Sequence, residues 1–202
     1  MRNLKKNLLS IILSLCLVTV SFLGVANAQT STTPSMIAYK NFLQNNKSIS
    51  NPYTAYKMNY FATIDLDKNG VKELIMIDKT NKVVTVYTYA NKKVKYCGNM
   101  YDRQGLYMDK LNRLSRVFEN SGEKMSYYLT LNSKKQLYLV GYTYDKIEKK
   151  YYKVSGLVEG SEDYNRVKIS KKTYNKEVKK LAFNKSVNKH LNNKANRNKY
   201  LK

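Results

Sequence analysis

From Tyr60 onward, apolar and polar positions alternate with a period of two, the signature of half-buried strands. Tyr60, Ala62, Ile64 and Leu66 share one face, and a turn built on Asn69-Gly70 follows them. Glu73 to Asp78, Lys82 to Tyr89 and Lys93 to Tyr96 continue the pattern, with Thr80-Asn81 and Asn91-Lys92 as short hairpin connectors. Residues 104–120 carry a weaker pattern that fits two strands. Met125, Tyr127, Leu129 and Leu131 then alternate, as do Tyr138, Val140, Tyr142 and Tyr144, joined by Asn132-Ser133-Lys134-Lys135. The last strands are expected over Tyr151 to Leu157 and Arg166 to Ser170.

Helical spacing brackets this run. Thr33-Pro34 reads as an N-cap followed by proline at the first helical position, and Met36, Tyr39 and Leu43 recur at i, i+3, i+7. That predicts a helix over 34–45. Ser170 is a cap for a second helix, whose stripe is Tyr174, Val178 and Leu181. Beyond Asn184 the chain is rich in Asn and Lys with isolated apolar residues, so residues 184–202 are expected to form a disordered basic tail. The predicted class is mainly β (α+β): an antiparallel β-meander of about 7–9 strands, an open curved sheet or partial barrel, with a short N-terminal and a C-terminal helix at its flanks.

The N-terminus changes the picture of where this domain works. Arg2, Lys5 and Lys6 precede an uncharged run from Leu8 to Val25, and Ala26-Asn27-Ala28 offers the small-x-small pattern of a signal-peptidase site. Residues 1–28 are read as a signal peptide and 29–183 as a single β-rich domain. The protein is then secreted, at the cell envelope or beyond, with no transmembrane segment after cleavage. Cys16 leaves with the leader, so Cys97 has no intrachain partner. It is read as a small core residue, the alternative being a thiol that pairs between chains.

The formal charge is +23, and removal of the leader's three basic residues leaves +20. Residues 171–202 hold eleven Lys/Arg and one acid, Glu177, or half of that excess. Such a surface attracts polyanions, among them the anionic polymers of a cell envelope, though nothing specifies a nucleic acid. The joint abundance of Lys, Asn and Tyr also fits compositional drift.

One segment carries metal chemistry. Asp65-Leu66-Asp67-Lys68-Asn69-Gly70-Val71-Lys72-Glu73 places oxygen side chains at positions 1, 3, 5 and 9, with the Val71 carbonyl at position 7. Ca²⁺ takes six to eight oxygens at about 2.3–2.6 Å, which a tight loop with alternating ligands supplies. An EF-hand would need an acid at position 12, where Met76 stands, and helical flanks. Asn-Gly is also a favoured type I′ hairpin signal, the simpler reading of the same residues. The string Phe61-Ala62-Thr63-Ile64-Asp65 through Glu73-Leu74-Ile75-Met76-Ile77 resembles the calcium loops of FG-GAP and VCBS-type repeats, with an acid at position 9. It is also similar to a segment of small secreted proteins and lipoproteins of Gram-positive bacteria, mostly without assigned function. The resemblance implies Ca²⁺ on Asp65, Asp67, Asn69, Val71 and Glu73. The motif occurs once, so a repeat propeller is not implied, and Asn69 is a neutral ligand.

Tyrosines form a second candidate. Tyr138, Tyr142 and Tyr144 share a strand face that Tyr128, Tyr151 and Tyr152 extend, interleaved with lysines in a way that suits stacking on sugars or bases. The simpler reading is that tyrosine covers a half-buried sheet face. Catalytic signals are few. His190 is the only histidine and falls in the expected tail, and no metalloprotease, phosphate-loop or dinucleotide motif occurs. The function expected is therefore non-catalytic: a secreted binding or interaction protein, Ca²⁺-stabilised, with affinity for polyanions. The alternative is a small secreted hydrolase or inhibitor working from a face lined by Tyr and Glu, with Glu119, Glu123, Glu148, Glu159, Glu162 and Asp163 as available acids.

Overall fold

Pro34–Asn45 forms helix α1, at the bounds its spacing predicts, and it buries Met36, Tyr39 and Leu43 along one stripe. The computed structural model describes residues 33–45, 58–101, 105–119, 123–159 and 164–202. The expected signal peptide, with Cys16, lies outside them, as do Glu162 and Asp163.

The chain is mainly β and antiparallel throughout, in two open sheets. The first sheet orders its strands β12-β1-β2-β3-β4, built from β1 (Tyr60–Ile64), β2 (Glu73–Ile77), β3 (Val83–Ala90), β4 (Lys93–Tyr101) and β12 (His190–Leu191). The second orders them β10-β9-β8-β7-β6-β5-β11. Its strands are β5 (Tyr107–Asp109), β6 (Leu114–Glu119), β7 (Glu123–Leu131), β8 (Leu137–Asp145), β9 (Lys150–Leu157), β10 (Asn165–Ile169) and β11 (Phe183–Lys185). The two strands expected over residues 104–120 are β5 and β6, and the strands without a sequence signal are β11 and β12, too brief to show a period.

The layers follow from which face each residue takes. Ile75, Ile77, Val84, Val86 and Cys97 from the first sheet pack with Leu114, Leu129, Leu137, Leu139 and Val154 from the second, forming the main core between the sheets. On the other face of the first sheet, Leu74, Met76, Phe61 and Val83 pack against Tyr39 and Leu43 of α1 and against Leu201. β2 is thus covered on both sides, which is why its apolar run is continuous rather than alternating. Gly98 sits at φ +146 beside a register shift in the β3–β4 ladder, and a Cβ there would lie 2.7 Å from Cβ of Leu137. Its missing side chain lets β4 approach β8 across the core. Cys97 is buried in that core, which favours the small-core-residue reading over an interchain thiol.

The C-terminal expectation needs correction. Helix α2 (Lys171–Lys180) forms as predicted, with Ser170 accepting the Thr173 N–H at 3.1 Å. The chain then stays ordered to its end: β11 pairs β5, β12 pairs β1, and Lys194–Tyr200 forms helix α3 with Asn193 as its cap. Val187 enters the main core and Leu201 the core under α1. The domain therefore runs on past residue 183 and takes in residues 184–202. Isolated apolar residues order a polar segment when each meets a separate pre-formed hollow, a pattern with no local period.

Candidate metal centre

The connection from Ile64 to Glu73, which face each other in the β1–β2 ladder, is a loop of eight residues. Lys68 (φ 60) and Gly70 (φ 87) take positive φ and Asn69 does not, so Asn69-Gly70 is not the two-residue type I′ turn of a plain hairpin. Side chains shape the loop instead. Asp65 accepts the N–H of Asn69 at 3.1 Å and of Gly70 at 3.0 Å, while Asn69 Oδ1 accepts the Val71 N–H at 2.7 Å.

One carboxylate oxygen from each of Asp65, Asp67 and Glu73 lies within 4.8 Å of the others, the one such trio of acids among the described residues. Glu73 is fully buried at the rim of the inter-sheet core. Its oxygens accept the Leu66 N–H at 2.8 Å and the Thr88 hydroxyl at 3.0 Å. Burial pushes its pKa up to about 7; the Leu66 N–H opposes this and the neighbouring Asp67 charge adds to it. Asp67 Oδ2 is held by Lys135 Nζ at 2.6 Å, whereas Asp67 Oδ1 is buried with no hydrogen-bond partner. Thr130 of β7 donates to the Leu66 carbonyl at 3.1 Å. The loop belongs to the first sheet, and the β7–β8 hairpin of the second clamps it.

Of the five residues expected to hold Ca²⁺, the three acids converge, while the Asn69 amide oxygen is engaged by the Val71 N–H. The arrangement supplies hard anionic oxygens at one point, with one buried oxygen unsatisfied, and that donor set fits a hard cation. Sequence reading missed Thr88 and Lys135. Lys135 stands 68 residues from Asp67 in the chain, and no local pattern links the two.

The tyrosine set divides. On β8, Leu137, Leu139, Gly141 and Thr143 face the core, and Tyr138, Val140, Tyr142 and Tyr144 face outward. Register places Tyr128 opposite Val140 and Tyr151 opposite Tyr144, on that outer face. Tyr152 pairs with Thr143 instead and packs on the core side, with Arg166 3.9 Å above its ring, so it does not extend the face. α2 lies over β8 and β9, and its Tyr174 meets Tyr151 at 4.9 Å, which stacks in turn on Tyr144. Arg113 covers the ring of Tyr128 at 4.0 Å. These contacts match the simpler reading, in which tyrosines roof a sheet. The glutamates are dispersed: Glu119 pairs with Lys124 and Lys146, Glu148 with Lys150, and Glu159 accepts from Tyr96 and Asn99. His190 is in β12, stacked on Tyr200 with ring centroids 3.4 Å apart.

Comparison with protein-family models, curated proteins and solved structures finds no match for this chain.

Proposed function

We propose that this is a secreted, non-catalytic binding protein of the bacterial cell envelope or exterior, braced by Ca²⁺ at Asp65, Asp67 and Glu73 and drawn to polyanions by its basic surface. The observation that carries the reading is the buried, unpartnered oxygen of Asp67 beside two further carboxylates. Mutual repulsion among these acids is relieved by a divalent ion. The ion acts as a brace, since the loop that holds it is tied to the β7–β8 hairpin of the other sheet by Lys135 and Thr130. A loop of three carboxylates in an extracellular module belongs to the class that binds with a Kd of roughly 10⁻⁴–10⁻³ M. The leader-like N-terminus supports export, and the charge of +20 that remains without the leader supports attraction to anionic polymers.

Thermal melts of the chain starting at Gln29 test the metal. With Ca²⁺ at a hundred times its Kd, the folded state gains about 2.7 kcal/mol. That raises the midpoint by about 5–10 °C for a domain of this size. Asp65→Ala with Asp67→Ala should abolish the rise. Superimposable melts of the wild-type protein in calcium and in metal-free buffer would overturn the reading.

A further inference from the structure

Two hollows of about 380 Å³ and about 450 Å³ adjoin beside the loop and share Thr63, Lys72 and Tyr200 as common wall. They differ in character. The first is lined chiefly by carbon, from Pro34, Met36, Val71, Tyr89 and the Tyr200 ring, with Lys202 at its edge. The second presents Lys68, Lys72 and Lys185 with the amides of Asn112 and Asn188. Asp65 is the sole side-chain carboxylate in either lining, and its oxygens already accept the Asn69 and Gly70 N–H groups. No ion pair among the described residues involves Lys68, Lys72, Lys185 or Lys202. Unpaired lysines are common on a chain of this charge, and what sets these apart is that Lys68, Lys72 and Lys185 converge on one concavity together with two side-chain amides. Concave walls of low dielectric focus such a field.

We infer that this double hollow binds a phosphate-bearing organic ligand, its phosphate against Lys68, Lys72 and Lys185 and its carbon body in the compartment of Met36, Val71 and Tyr200. Clustered lysines hold phosphate as point charges, and the Asn112 and Asn188 amides beside them are further donors for its oxygens. The site stands on the cleft itself and does not require the metal. A soluble phosphate ester and the repeating unit of a polyol-phosphate polymer share this chemistry.

The test titrates glycerol 3-phosphate, and separately a poly(glycerol phosphate) chain, into the full chain in metal-free buffer without chelator, because a chelator is itself a polyanion. Backbone ¹H–¹⁵N shifts report the site. Saturable shifts centred on Gly70, Val71, Lys72, Lys185 and Asn188 are expected. Lys72→Ala with Lys185→Ala should weaken binding at least fivefold, whereas Lys93→Ala with Lys172→Ala, the same charge change at exposed positions elsewhere, should leave it within twofold. A polymer that binds at least tenfold tighter per unit identifies the polymer as source; equal affinity identifies the small ester. Equal loss in both double variants, or shifts scattered over the surface without saturation, would overturn the site. Calcium dependence is read separately in the melts above, so failure of either result leaves the other intact.

Discussion

Asp67 shows how much of the proposed centre depends on a single contact. Its Oδ2 is neutralised by an ammonium group borrowed from the other sheet, and its Oδ1 is buried without a partner. Lys135 stands in for part of the charge that a cation would bring. Lys135→Gln should therefore lower the midpoint most in metal-free buffer, at a cost of about 1–3 kcal/mol for a lost bond to a charged group. Calcium should recover much of that loss, so the gain on adding Ca²⁺ becomes larger in the variant than in the wild-type protein. Paired melts of both proteins measure this, and an unchanged calcium increment would separate Lys135 from the site. The acids themselves were legible from their spacing, since alternate positions in a tight loop must converge. Lys135 was not, because a contact made across two sheets leaves no trace in either local sequence.

Among elements, the β2–β3 turn is another place where a buried carboxylate organises backbone. Asp78 Oδ1 accepts the Val83 N–H at 3.0 Å, and Oδ2 accepts both the Thr80 N–H, at 3.0 Å, and the Thr80 hydroxyl. Burial by itself raises this carboxyl's pKa, but the bonds from Thr80, Val83 and Lys82 outweigh it and hold the group below its ordinary 3.8. A folded pKa below the unfolded one stabilises the fold above about pH 4, and the gain is lost as pH falls through the folded value. Asp78→Asn should cost about 1–3 kcal/mol at pH 7. The gap to the wild-type protein should close as the solution is acidified below about pH 4, which melts across a pH series would reveal; a constant gap would mean that packing, not charge, accounts for the loss. Helix α1 was readable for a related reason of locality: Pro34 starts it, and Met36, Tyr39 and Leu43 fall on one stripe. β8 was read correctly as a strand, yet its tyrosines take the outer face and its core is Leu137, Leu139 and the small Gly141 and Thr143. Alternation fixes two faces without saying which is buried when both are half apolar.

At the scale of the whole molecule, the basic C-terminal segment does two jobs that its composition had separated. It supplies much of the positive charge, and it also closes the fold. Leu201 is 1% exposed under α1, Val187 lies in the main core, and Lys189 donates to the carbonyls of Asp78 at 2.9 Å and Lys79 at 2.6 Å. Deleting residues 184–202 is consequently a poor test of polyanion binding, because it strips β12 from the first sheet and uncovers both cores. Leu201→Ala alone should cost about 2–5 kcal/mol, as for other fully buried leucines. Charge is better removed where it bears no structure. Lys176, Lys179 and Lys194 are exposed, and substitution to Gln at all three should move stability by only about 0.5 kcal/mol per site. If the basic surface is what holds the protein to anionic polymers, that triple variant should elute earlier from a polyanion column, with the difference shrinking as salt rises and the Debye length falls. Identical elution of variant and wild type, with both melting alike, would assign the charge to composition and leave the cleft beside the loop as the place where anions are recognised.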